Sequence, residues 1–92
     1  MILNFKHKGL RLLYEEGNPR RVNREHAEKL QNILARLEVA REPDDMNLPG
    51  FRLHQLKGDR AGTWAVTVRA NWRVTFCFEG QDVADVNYED YH

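Results

Sequence analysis

Residues 63–78, TWAVTVRANWRVTFCF, decide the fold. Trp64, Val66 and Val68 alternate with polar or small residues, and so do Val74, Phe76 and Phe78. Alternation with a period of two is the mark of a half-buried strand. The connection between the two runs is what needs deciding. A two-residue loop at positions 70–71 sets Arg69 opposite Trp72 and sends the two apolar sets to opposite faces. An odd loop, with Ala70, Asn71 and Trp72 at the bend, sets Arg69 opposite Arg73 and gathers all six apolar residues on one face. Burial favours the odd loop, with Asn71 as the left-handed residue of a bulged turn. The other face then carries Ala65, Thr67, Arg69, Arg73, Thr75 and Cys77. Two arginines directly across from each other repel, and an anion between them relieves the repulsion. A solvated pair on an exposed face is the other reading.

Outward from this hairpin the pattern continues. Phe51 to Leu56 reads as a strand joined by the tight loop KGDRAG, and QDVADVNY follows a turn at Gly80. These connections are too short for crossover helices, so the strands pair antiparallel. Upstream the period changes to that of a helix. Phe5 to Glu16 forms a first helix with Gly17 as its stop, although Gly9 weakens it. Asn23 caps a second helix running from Arg24 to about Arg41, whose apolar stripe is Ala27, Leu30, Ile33, Leu34, Leu37 and Ala40. Pro43 ends it. Residues 1–4 alternate as a short first strand. The expected architecture is α+β: one domain over residues 1–92, with two N-terminal helices packed on one face of a curved, mainly antiparallel sheet and the other face free.

Composition narrows the classes of function. Fourteen basic and fourteen acidic residues cancel among 92, so bulk charge does not drive nucleic-acid binding. The charge is uneven, with basic runs at 5–11 and 19–24 and acidic ones at 41–45, 80–85 and 88–90. A mean hydropathy of −0.72 and the lack of a long apolar run argue against a membrane span. MILNFKHKGL lacks the apolar stretch of a signal peptide, and the single cysteine, Cys77, excludes an internal disulfide and a cysteine-based zinc site. The expected location is the cytoplasm.

Phosphate-binding loops, dinucleotide fingerprints, HExxH and serine-elbow motifs are all absent. The histidines at 7, 26, 54 and 92 are too scattered for an evident metal site, and His7 and His26 read as surface residues. His54 differs. With Phe51 and Leu53 turned to the helices, Arg52 and His54 point to the free face beside the arginine pair, and Lys57 follows at the strand end. If the last strand neighbours this basin, residues 87–92, NYEDYH, bring Asp90, Tyr91 and His92 to its rim. Histidine titrates near neutrality and can move protons in either direction. Lys and Arg stabilise charge developing on a phosphate. Cleavage of RNA through its own 2′-hydroxyl needs such parts, but two merely exposed histidines are the other reading, and the face assignment does not by itself identify RNA.

LHQLKGDRAGTWAVTVRANWRVTFCF together with NYEDYH resembles the HigB-type toxins of the RelE superfamily, or plasmid-maintenance killer proteins, and FKHKGLRLLYEEG resembles their N-terminal helix. The resemblance covers essentially the whole chain. It implies a ribosome-dependent mRNA interferase that cuts mRNA in the ribosomal A site without metal or other cofactor. It also implies silencing by a cognate helix-turn-helix antitoxin, through which operator DNA is bound indirectly, and no membrane partner. Carried over by position, the catalytic residues are His54, Lys57, Arg73, Asp90, Tyr91 and His92, and Asn71 touches the codon. Arg69 joins Asn71 as an RNA-binding residue. The neutral net charge departs from the basic character of many such toxins and leaves segments 6–11 and 20–24 as the expected ribosome contact. Two rivals stand beside this reading: a catalytically inactive module that binds an antitoxin–operator complex, and a free-standing RNase.

Overall fold

A computed structural model describes residues 1–91. Two helices, α1 (Lys8–Glu16) and α2 (Ala27–Val39), precede four strands, β1 (His54–Gln55), β2 (Trp64–Arg69), β3 (Trp72–Glu79) and β4 (Asp82–Asp90). The strands form one sheet in sequence order, with every neighbour antiparallel. This is the α+β arrangement expected from the change of period.

Helix α1 begins three residues later than the apolar spacing suggests. His7 caps it, its Nδ1 accepting from the Leu10 N–H at 3.1 Å. Phe5 is instead part of an extended segment. Residues 1–6 run parallel to β4 through bridges Ile2–Val83 and Phe5–Val86, so the short first strand is reduced to two bridges. Gly17 closes α1 in the left-handed conformation, φ 67°, donating to the Leu13 carbonyl. Asn23 caps a 3-10 turn, Arg24–His26, that leads into α2. Leu30, Ile33, Leu34, Leu37 and Ala40 of the expected stripe are all buried. They meet Val66, Val74, Phe76, Val83 and Val86 from the sheet in a single core.

Two bulges set which way the strands face. Thr67 pairs with Arg73 but Arg69 pairs with Trp72, so Val68 is an extra residue in β2. The expected Arg69–Arg73 pairing is therefore replaced, and the two-residue loop Ala70–Asn71 closes the hairpin. Ala70 rather than Asn71 takes the left-handed conformation, φ 52°. The true register differs from the expected one by two positions over most of the hairpin. An even shift keeps each residue on its face, which is why Trp64, Val66, Val74 and Phe76 still turn to the helices. Farther on, Thr75 pairs with Asn87 and Cys77 with Ala84, so Phe76 alone faces both Asp85 and Val86. Asp85 sits at φ 55°. Its carboxylate accepts from Asn4 Nδ2 at 2.9 Å, and its N–H donates to Asn4 Oδ1 at 3.0 Å.

The far face is not entirely free. Strand β1 is shorter than Phe51–Leu56 because Arg52 is left-handed, φ 52°. Beyond it the loop with the 3-10 turn Gly58–Arg60 folds back over the sheet, where Asp59, Arg60 and Thr63 line a cleft with Thr75 and Cys77. Ala65 and Thr75, on that face, are buried.

Gly9 has a packing duty. A methyl group there would lie 2.5 Å from the Arg21 carbonyl oxygen. Helix propensity alone makes Gly→Ala stabilising by about 1 kcal/mol. Gly9→Ala is expected to destabilise instead, by about 1–3 kcal/mol, and a urea denaturation midpoint that rises would contradict the close packing.

Candidate active site

Residues paired across an antiparallel sheet share a face. Pairings His54–Ala65, Ala65–Thr75 and Thr75–Asn87 lay one row across the far face, and Thr67–Arg73 and Arg73–Glu89 lay the next. From strand spacing and rise, the His54 and Arg73 Cα atoms are roughly 12 Å apart. His54 is exposed, and its Nδ1 lies 2.9 Å from the Arg52 carbonyl oxygen. A carbonyl only accepts, so Nδ1 carries the proton and the neutral ring presents Nε2 as its basic nitrogen. The exposed Lys57 stands at the entry to the Gly58–Arg60 turn.

Arg73 is the most enclosed of the expected site residues among those described, its side chain 12% exposed. Its Nε and Nη2 donate to Glu89 Oε2 at 3.1 and 2.8 Å. The Tyr91 ring packs on the guanidinium, 4.2 Å from Cζ to the ring centroid. Tyr91 is fastened in turn by its N–H, which donates to the Asn71 carbonyl at 3.1 Å. From the other side Arg60 grips Glu89 in a fork, Nη1 to Oε2 at 3.0 Å and Nη2 to Oε1 at 2.9 Å. Hydrogen bonds from Arg60, then those from Arg73, hold the Glu89 carboxyl down to about 2 against the opposing effect of burial. Two cations around one anion leave the cluster with a net positive charge.

Other expected members fall elsewhere. The Val68 bulge turns Arg69 away from Arg73, and its Nη1 reaches Glu25 Oε2 at 3.3 Å beside the start of α2. That pair is exposed on both sides and holds weakly. Asp90 pairs with Trp72, so strand alternation sets it on the helix side, opposite to Glu89 and Tyr91. Asn71 is exposed at the hairpin tip. His92 lies outside the described residues. Among the described residues, no three His, Cys, Asp or Glu side chains gather as a metal-ion site.

Arg60 and Glu89 were not singled out by the sequence. Counting back from the 80–81 turn pairs Arg73 with Tyr88, and only the Asp85 bulge moves Glu89 opposite Arg73. His26 is a second correction: it is buried rather than on the surface. Its Nδ1 lies 2.6 Å from the Tyr88 hydroxyl, and its ring meets the edge of Trp72. Burial, then the charge of Arg69, lowers its basicity. The pair fastens the beginning of α2 to β4.

An open antiparallel sheet backed by two helices, with cationic side chains on its outer face, defines an α+β architecture of the RelE-like toxin class. Residues 3–92 match the family model described as RelE-like toxin of type II toxin-antitoxin system HigB, and the chain belongs to that family. It is similar to Endoribonuclease HigB of Proteus vulgaris, with 47% identity over 92 residues and full coverage of both chains. The chain is thus a toxin of a type II system, which implies an antitoxin partner.

The depressed Glu89 titration carries a pH dependence of stability. A carboxyl whose folded value lies below its unfolded one stabilises the fold once ionised, and the contribution disappears as pH falls. Stability should decline as pH drops from the ordinary 4.5 towards about 2. Glu89→Gln should flatten that part of the profile, as read from urea midpoints measured against pH.

Proposed function

We propose that this chain is a ribosome-dependent mRNA interferase acting in the cytoplasm, cutting mRNA in the ribosomal A site and silenced by a cognate helix-turn-helix antitoxin. Operator DNA is reached only through that antitoxin. The observation that carries the reading is the enclosed, oriented guanidinium of Arg73 on the same sheet face as His54. Family membership and the endoribonuclease name of the Proteus relative support RNA as the substrate.

The 2′-oxygen attacks the adjacent phosphorus, the bond to the 5′ oxygen breaks, and the products are a 2′,3′-cyclic phosphate and a 5′-hydroxyl. His54 or His92 accepts the 2′-OH proton. The other histidine, or Tyr91, supports protonation of the leaving 5′ oxygen. Lys57 and Arg73 stabilise the charge that builds on the phosphorane, and Asp90, although β4 sets it on the helix side, orients a partner residue from the strand end. No step assigns a role to a metal ion. Asn71, at the exposed hairpin tip, contacts the codon, and Arg69 lies close by for RNA backbone.

Ribosome dependence fits an open face. His54 is exposed on that face, so the ribosome supplies the positioning that holds an RNA strand in line. The basic segments 6–11 and 20–24 supply the contact. The packing of Gly9 on Arg21 joins them, and Lys8, Arg11, Arg20 and Arg21 line one shallow cleft there, outnumbering Glu15 and Glu16 on its wall.

Purified protein, stripped of metal with EDTA and returned to ribosome buffer, should cut mRNA with programmed ribosomes and not without them, and Arg73→Ala should slow cutting by about 10²–10³-fold. Equal cutting of naked RNA would make it a free RNase. Failure of the folded protein to cut under either condition would favour an inactive antitoxin-binding module. Reversing charge with Arg20→Glu and Arg21→Glu should weaken ribosome binding. It should also flatten the plot of log affinity against log salt, by about 0.7–0.9 for each phosphate left without its cation.

A further inference from the structure

We infer that Glu89, braced by Arg60, is a positioning residue for RNA cleavage, aiming the Arg73 guanidinium at the scissile phosphate. The inference rests on the interferase reading and extends it to two residues outside the expected catalytic set.

A guanidinium is planar and offers its five N–H donors in a fixed fork, so its catalytic value depends on where the plane and its edges point. Both are restrained in Arg73. Glu89 Oε2 takes the Nε and Nη2 hydrogens along one edge, at 3.1 and 2.8 Å, and the Tyr91 ring covers one face. With that edge engaged, the Nη1 end is turned away from Glu89.

The brace itself is rigid. Glu89 projects from the last paired stretch of β4, opposite Arg73 and one residue before the strand end, with its side chain 23% exposed. A lone carboxylate there still has freedom about its terminal torsion. Arg60 removes it by engaging both oxygens at 3.0 and 2.9 Å from the loop folded over the sheet. An ordinary surface ion pair holds neither partner so tightly, since water competes for both. The Arg69–Glu25 pair of the same protein, with both side chains more than half exposed, is of that ordinary kind.

Charge counts as well as direction. A carboxylate facing an arginine weakens its attraction for a phosphate. Arg60 offsets that loss, since the three groups together keep one positive charge. The carboxyl stays ionised through the whole physiological range. Glu89 therefore acts as a fixed mount rather than as an acid or base, and it should add no inflection to the pH–rate profile near neutrality.

The test uses ribosome-programmed mRNA cleavage with the full chain. Glu89→Gln is nearly isosteric and is expected to lower kcat by about 10–100-fold, with KM changed less than twofold and the pH–rate profile unmoved between pH 6 and 8. Glu89→Asp should recover part of kcat. A second arm uses guanidinium ion at low millimolar concentration, added to Arg73→Ala. Restored cutting in that variant, lost in Arg73→Ala combined with Glu89→Gln, is the expected result, because the carboxylate docks the free ion. An unchanged kcat in folded Glu89→Gln, or equal rescue with and without Glu89, overturns the inference while the interferase reading stands. A wild-type protein that cuts no mRNA at all overturns both. Normal cutting by Arg73→Ala removes Arg73 from the chemistry, and the brace loses its purpose with it.

Discussion

The extra residue in β4 governs the rest of the molecule. A strand has strict alternation, yet this one must send Val83, Val86 and Tyr88 to the helices. An odd and two even positions cannot share a face without an inserted residue. Asp85 supplies it by adopting φ 55°, a conformation that costs a non-glycine residue on the order of 1 kcal/mol or more. Asn4 holds it there through reciprocal hydrogen bonds. The core demand thereby sets the site. With Val86 and Tyr88 inward, Glu89 and Tyr91 turn outward, to the face where β3 carries Arg73. Removing the bulge leaves either a broken core or a Glu89 pointing at the helices.

The same constraint explains what could be read from the residues and what could not. Helix α2 was legible because its stripe repeats over several turns and is flanked by Asn23 and Pro43, so local and tertiary preferences agree. The face assignment of the β2–β3 hairpin was legible too, since burial settles parity. Its register was not: a bulge at Val68 costs one residue and has no composition of its own, and the left-handed position fell on Ala70 although Asn71 is the better candidate by chemistry. Arg69 was assigned to the far face by alternation that the bulge interrupts. His26 was misjudged because one imidazole in a first helical turn looks the same whether it meets water or Tyr88, a partner 62 positions away.

For the candidate site, the groups on the outer face were accessible from spacing and from family resemblance, but the residues that hold Arg73 were not. Arg60 reads as a loop arginine and Glu89 as one acid among several. Their meeting depends on a loop folding across the sheet and on the shifted register, both properties of the folded chain. Asp90 shows the converse. Neighbouring positions in a strand look contiguous in the sequence but lie on opposite faces, so Asp90 accompanies Trp72 while Glu89 and Tyr91 flank Arg73.

Neutral net charge is compatible with anion chemistry once the charges are located. The acidic residue nearest Arg73 is spent on two arginines, and Glu25 engages Arg69 at the other side of the hairpin. Local excess, not the total, determines the field at a site, because interactions beyond about 8–10 Å are screened at physiological salt. The tail fits the same logic. The Tyr91 N–H bonds the Asn71 carbonyl and its ring rests on Arg73, so the strand end is tied to both hairpin and site. Ordering a residue costs about 1–2 kcal/mol of backbone entropy. The contacts that offset it for Tyr91 are those that hold the guanidinium flat, which couples order at the end of β4 to the geometry of the face it borders.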